Sequence, residues 1–224
     1  MRVELRQLFP ALFPPTVRGA EVSEQALAEP LFAEEEVAIA RAVLKRRSEF
    51  ALGRTCARRA LAELGIAPVA LPQRDDRSVA WPPEAWGSIT HADGICVAIA
   101  ARRSDHAGLG IDAEVRERVR RDLWRHIATE REQSWLSSAP DDTVAAARAT
   151  LLFSAKESFY KAQFCVSRAW VGFHDAELTF DAGGAFEVRL LVDVGERFAR
   201  GTRFEGRYGM LEHHVVTGLV LPPL

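Results

Sequence analysis

Apolar positions recur along the chain with two different periods. From Glu34 to Leu64, Val37, Ala40, Val43, Leu44, Phe50 and Leu61 fall at helical spacing, Gly53 marks an expected break into two helices, and Gly65 follows as a stop signal. Helical spacing returns from Val119 to Leu136 and from Thr143 to about Phe164. Between these blocks, Ser88 to Ala101 (SITHADGICVAIAA) reads as two short β segments around an Ala-Asp-Gly turn, and Gly108 to Glu114 as a further strand. The tail from Val171 to Val220 alternates, with AELTF, AFEVRLLV, RFEGRYGML and HHVVTGLVL as strands. Residues 1–33, carrying Pro10, Pro14, Pro15 and Pro30, read as an extended arm with short strands, and Pro68 to Pro83 as a connector. Helices and strands in separate blocks predict an α+β fold rather than a doubly wound parallel sheet. A boundary near residues 102–107 divides the chain into halves, 1–105 and 106–224.

Composition narrows the function classes. The 224 residues are 48% hydrophobic and 27% charged, the profile of a folded globular chain. A net charge of −2 lacks the basic excess of a nucleic-acid-binding domain, so no nucleic-acid partner is expected. The longest apolar stretch, Ile95 to Ala101, is too short to span a bilayer, and MRVELRQLFP lacks the apolar run of a signal peptide. Cys56, Cys96 and Cys165 are scattered and odd in number, which reads as reduced thiols; the expectation is a cytoplasmic protein with no membrane partner. Of the 29 basic residues 26 are arginine, yet two of the three lysines, Lys156 and Lys161, fall within six residues of each other.

The chemistry begins with Asp112 and Glu114. In a strand, residues i and i+2 share a face, which sets these carboxylates side by side, roughly 6–7 Å apart at Cα. Two such acids repel unless a cation lies between them, and hard oxygen ligands suit Mg²⁺ together with substrate phosphates; the plainer reading is a solvated strand end. In Phe153 to Ala162, Glu157 and Lys161 lie one helical turn apart on one side, with Lys156 about 100° from Glu157. A third carboxylate beside two ammonium groups fits a bound phosphate–metal complex. Against this stand a surface i,i+4 pair and a Ser154-x-x-Glu157 capping box, the latter weakened because apolar helical spacing runs through Ser154 without a break. The hydroxyls beside His91 make an anion contact reasonable, and a subset of Arg46, Arg47, Arg54, Arg58 and Arg59 on one side of a helix suits a phosphate. No glycine-rich phosphate loop, nucleophile elbow or H-E-x-x-H motif occurs.

Gly110-Ile-Asp112-Ala-Glu114, followed about forty residues later by Phe153-Ser-Ala-Lys156-Glu157-Ser-Phe-Tyr-Lys161, resembles the paired signatures of the 4′-phosphopantetheinyl transferase superfamily, G-[IV]-D-x-E and [FW]-[SAC]-x-K-E-[SA]-x-x-K. Phe50 to Gly65, Trp81-Pro82, Gly87-Ser-Ile-Thr-His91 and Trp170-Val-Gly-Phe173 resemble its larger, Sfp-type branch, in particular the enterobactin-synthetase-component-D-like group.

The resemblance implies a monomer of two similar lobes related by a pseudo-twofold axis, each a small antiparallel sheet packed with helices, clasping coenzyme A. It implies transfer of 4′-phosphopantetheine from coenzyme A to a serine of an apo acyl or peptidyl carrier protein, releasing adenosine 3′,5′-bisphosphate. By the same resemblance Asp112, Glu114 and Glu157, with the backbone of Ala113, hold Mg²⁺ (or Mn²⁺), while Lys156 and Lys161 neutralise the diphosphate. Arg46, Arg54, Arg74, Asp75, Thr90 and His91 fall at positions facing the coenzyme A nucleotide. Asp112, Glu157 and Lys161 form the expected catalytic set, with Glu157 first and Glu130 second as the base for the serine proton, and water the third option. Gln73 departs from the lysine usual at its position, and Arg74 is the substitute. A catalytically inactive coenzyme-A-binding subunit and another Mg²⁺-dependent nucleotide-diphosphate hydrolase or transferase are the alternatives. Carrier identity and pathway (fatty acid, polyketide, nonribosomal peptide or siderophore) stay open.

Overall fold

The computed structural model describes residues 5–23 and 25–223. Two antiparallel sheets carry the fold. The first has the order β1-β3-β2, from strands Arg18–Ser23 (β1), Ala85–Ala92 (β2) and Ile95–Arg102 (β3). The second has the order β4-β8-β7-β6-β5, from Gly108–Val115 (β4), Ala176–Phe180 (β5), Ala185–Leu190 (β6), Arg203–Met210 (β7) and His214–Leu221 (β8). The architecture is the α+β arrangement expected, with sheets of three and five strands.

The apolar run in β3 has a direct cause: this strand is central in its sheet and covered on both faces. Cys96, Ala98 and Ala100 meet Leu52, Cys56, Ala57, Ala60 and Leu61 of helix α3 (Leu44–Ala62). Val97, Ile99 and Ala101 face the other way, into a core shared with Leu109, Ile111 and Ala113 of β4. The β2–β3 hairpin closes through Asp93-Gly94, where Gly94 takes φ +87° as a tight two-residue turn requires. The second sheet is covered by helix α6 (Asp142–Ser167), whose Leu152, Ala155, Phe159 and Ala162 join Leu178, Phe186, Val188 and Leu219 in one core.

Three local expectations are corrected. The proline-rich opening forms helix α1 (Leu5–Leu12) before β1, because apolar residues four apart outweigh Pro10; Phe9 and Phe13 pack where Gly19 and Gly218 leave room. Residues 1–4, also part of the expected arm, lie outside the described residues. The helical block from Glu34 divides into α2 (Ala33–Ile39) and α3 at residues 40–43, not at Gly53, which sits inside α3 against Ile89. The single helix expected from Val119 to Leu136 is a 3₁₀ turn (Arg121–Leu123), a short α4 (Trp124–Ile127) and α5 (Glu130–Ser137). The last break is chemical: Thr129 accepts from the Glu132 N–H while Glu132 accepts from the Thr129 N–H, a reciprocal cap that starts α5 afresh.

The two sheets abut along β2 and β4. These strands run side by side in the same direction and are joined by side chains: Ser88 Oγ accepts from the Ile111 N–H and Thr90 Oγ1 from the Ala113 N–H, each at 3.1 Å. Hydroxyls at i and i+2 of β2 thus take the place that carbonyls hold in a backbone ladder.

Candidate active site

Alternation along β4 builds the site. Leu109, Ile111 and Ala113 point into the core shared with β3, so Gly108, Gly110, Asp112 and Glu114 occupy the opposite face. The glycines bring α6 into backbone contact: a Cβ on Gly110 would lie 1.8 Å from the Ser158 carbonyl oxygen, and one on Gly108 2.3 Å from that of Ala162. With α6 pressed this close, the Lys161 ammonium donates to Asp112 Oδ1 at 2.7 Å and to the Ile111 carbonyl at 3.1 Å.

Asp112 is only 5% exposed. Its Oδ1 accepts from Lys161 and from Thr90 Oγ1 (3.1 Å), while its Oδ2 is buried with no protein partner. Glu114 lies on the same face and is tied to Arg118 at 2.7 Å. Burial pushes the Glu114 carboxyl above the ordinary range, and the Asp112 charge adds to the rise. Burial likewise pushes Glu157 up, opposed by Lys161 and reinforced by Asp112. Each of these acids therefore feels Asp112 as a neighbour. Among the described residues, no three His, Cys, Asp or Glu side chains are gathered closely enough to hold a metal ion as they stand. The donor set nevertheless fits a hard divalent cation: all-oxygen, in excess of nearby positive charge, with one buried carboxylate oxygen unsatisfied.

The surroundings sort the other candidates. Lys161 lines a cleft of 350 Å³ between β2 and α6, walled by Trp86 and Ser88 of β2, Tyr160 and Phe164 of α6, and Arg74 of the connector; Asp112, Glu114 and Glu157 lie outside its lining. Trp170, 77% exposed, stands edge-on to Tyr160 at its side. A smaller cavity of 100 Å³ adjoins Lys156 and Glu157. Ser154 sits within α6 against Thr217, so the capping-box reading falls, and the Lys161 ammonium goes to Asp112 and Ile111, not to a surface pair with Glu157.

Several expected contacts are placed elsewhere. Lys156 is 4% exposed and donates to Glu132 at 2.7 Å and to the Phe173 carbonyl at 2.5 Å; burial lowers its pKa and Glu132 opposes the fall. Its charge is thus taken up by protein. Glu130 is exposed, and it is Glu132, two residues on, that meets Lys156. The signal for Glu132 was in the chain, as the last residue of Thr129-x-x-Glu132. Arg54 is buried, stacked on Phe50 at 4.1 Å and bonded through Nε to the Leu71 carbonyl at 2.6 Å; burial lowers its pKa to about 10. Leu71 also donates to Glu35, a fully buried acid paired with Arg58, so Arg54 and Glu35 together fix the start of the connector. Glu35 has no motif to announce it. Arg46 and His91 flank Glu49 at 3.7 and 3.4 Å on the half-exposed edge of α3. Arg74 lines the cleft while donating to the Val79 carbonyl, Gln73 is bonded to the Arg77 carbonyl of its own turn, and Asp76 rather than the exposed Asp75 lines the cleft. Thr90 reaches Asp112, and Ala113 turns its side chain into the opposite core.

Comparison with known proteins shows the family. Residues 34–101 match the family model of the 4′-phosphopantetheinyl transferase N-terminal domain, and residues 108–217 that of the 4′-phosphopantetheinyl transferase superfamily. The 4′-phosphopantetheinyl transferase Svp of Streptomyces mobaraensis is 40% identical over 195 residues, 85% of this chain and 78% of its own. The 4′-phosphopantetheinyl transferase Npt of Nocardia iowensis is 35% identical over 219 residues, 93% of this chain and 97% of its own. Enterobactin synthase component D of Salmonella typhimurium matches at 34% over 164 residues, 70% of this chain and 65% of its own. The chain belongs to the 4′-phosphopantetheinyl transferase superfamily.

Proposed function

We propose that the cleft between β2 and α6, where Lys161 adjoins the Asp112 carboxylate of β4, is where this enzyme transfers 4′-phosphopantetheine from coenzyme A to a serine hydroxyl of an apo acyl or peptidyl carrier protein. The observation that carries the reading is the Asp112–Lys161 pair. A buried carboxylate with one bare oxygen beside a fixed ammonium group, with two further acids near, is suited to a diphosphate and the divalent cation that accompanies it.

In the reaction, the serine oxygen forms a bond to the β-phosphorus of coenzyme A. The bond from that phosphorus to the bridging oxygen breaks, and adenosine 3′,5′-bisphosphate leaves with the electron pair. Asp112, Glu114 and Glu157 would hold Mg²⁺, which when bound supplies neutralisation of the diphosphate charge. Lys161 adds a second fixed positive charge on the cleft wall. Glu157, half-buried and near both Lys161 and Asp112, is the group proposed to accept the serine proton. Arg74 and the aromatic wall of Trp86, Tyr160 and Phe164 suit a nucleotide with an anionic chain. The halves 1–105 and 106–224 contribute β2 and β4 with α6 respectively, so one chain suffices for the cleft and a monomer is the proposed state. Three free cysteines support residence in a reducing compartment, the cytoplasm.

Chromatographic detection of adenosine 3′,5′-bisphosphate tests this. Its release from coenzyme A is expected only when an apo carrier protein is present. Release without a carrier would identify a hydrolase instead, and no release with any carrier an inactive coenzyme-A-binding subunit.

A further inference from the structure

Thr90 falls at a position that family resemblance turns toward the nucleotide, yet its hydroxyl is spent within the protein. Oγ1 accepts from the Ala113 N–H at 3.1 Å and lies 3.1 Å from Asp112 Oδ1. A hydroxyl has one proton, and an oxygen that accepts from an N–H on one side directs that proton to the other. The Thr90 proton is therefore committed to Asp112. Lys161 donates to the same carboxylate oxygen at 2.7 Å. Both donors fall on Oδ1, and Oδ2 is left buried and bare.

We propose that Thr90 is a positioning residue: reaching from one sheet to the other, its hydroxyl fixes the Asp112 carboxylate so that Oδ2 is the oxygen offered to a divalent cation. The proposal rests on the reading of Asp112 as a cation ligand given above. Its physical basis is the cost of burying a carboxylate oxygen without a donor, a cost tolerated where a cation can satisfy it. Thr90 belongs to β2 and Asp112 to β4, so the bond that orients the carboxylate is also a side-chain tie between the sheets. Ser88 makes another tie, to the Ile111 N–H rather than to a carboxylate. The seam thus contains its own control: two hydroxyls of like structural role, one of which touches the acid.

The test measures Mn²⁺ binding to the full chain with coenzyme A present, from the loss of the free Mn²⁺ EPR signal, alongside the thermal midpoint of each variant. Thr90→Val, which keeps the shape and removes the hydroxyl, is expected to weaken Mn²⁺ binding about 10- to 100-fold, the range found when a group supporting a metal ligand is removed. Thr90→Ala is read in the same way should valine fold poorly, and Thr90→Ser should keep wild-type affinity. Ser88→Ala is expected to lower the thermal midpoint and to weaken Mn²⁺ binding less than Thr90→Ala does. Wild-type affinity in folded Thr90→Val or Thr90→Ala, or equal weakening by Ser88→Ala, would overturn the proposal. Absence of Mn²⁺ binding in the wild type would overturn the cation reading beneath it and the proposal with it.

Discussion

Lys161 and Asp112 meet across the junction of α6 and β4, with Nζ 2.7 Å from Oδ1. The contact joins two motifs some fifty residues apart, and the neighbouring glycines make it attainable. Lys161→Met removes a charged donor from a buried carboxylate, which costs about 1.5–3 kcal/mol in stability. It also removes fixed positive charge from the cleft, and loss of one such stabilising group lowers turnover about 10²- to 10³-fold. Urea unfolding and steady-state transfer assays on the same preparation check both effects. An unaltered turnover would remove Lys161 from the machinery.

Gly110 tests whether close approach of α6 matters. A methyl group there meets the Ser158 carbonyl at 1.8 Å, a backbone atom that cannot turn aside. Gly110→Ala is expected to destabilise by more than about 3 kcal/mol, beyond ordinary overpacking of a core. Gly65→Ala is a useful contrast, because nothing lies within 4 Å and only its φ of +74° resists the substitution. Chemical denaturation of the pair should rank Gly110→Ala well below Gly65→Ala.

Glu132 and Lys156 are both nearly sealed from solvent. Breaking such a pair from one side strands a buried charge and costs about 3–5 kcal/mol, whereas replacing both partners with apolar groups of similar volume is far milder. Glu132→Leu and Lys156→Met should each be severely destabilised, and the double variant should lose less than the sum of the two in a double-mutant cycle, the Thr129 and Leu178 N–H groups still lacking their acceptor. Additive losses would show that the two side chains act independently.

His106 sits between β3 and β4, with Nε2 2.7 Å from Thr16 Oγ1 and a buried, unpartnered Nδ1. Burial holds its pKa below the ordinary 6.5, opposed by Asp105. In the window just below 6.5 the unfolded chain therefore binds a proton that the folded chain does not. Stability rises with pH through that window and is lost as pH falls through 6.5 toward the lowered folded value. Glu114 and Glu157, raised by burial, give the opposite slope above their ordinary range, so the comparison must be between variants. Denaturation midpoints measured across this range should change less steeply with pH in His106→Asn than in the wild type.

Much of this site was legible in the chain because its logic is periodic. Gly110, Asp112 and Glu114 are two apart on a strand, and Glu157 and Lys161 four apart on a helix, so each set shares a face before any fold is known. The elements that carry them also followed from their patterns, β4 and α6 among them. What escaped was set by contacts distant in sequence. The ammonium of Lys156 is claimed by Glu132, which also caps α5 and accepts from the Leu178 N–H, and no local pattern in α6 shows this. Thr90 looked like an anion contact because nothing in Ser-Ile-Thr-His reveals that β4 lies alongside. The helix at Leu5–Leu12 was hidden by Pro10, and the break at residues 40–43 by apolar spacing that continues through it.

Asp112 and Glu157 are proposed to act together at one diphosphate, on either side of Lys161 at the edge of the cleft. Intact-mass analysis of an apo carrier protein incubated with coenzyme A, Mg²⁺ and either wild type, Asp112→Ala or Glu157→Ala measures this directly. The wild type should add one phosphopantetheine group to the carrier, with both variants folded and the carrier left unmodified. Modification at near-normal rates by both folded variants would contradict the account.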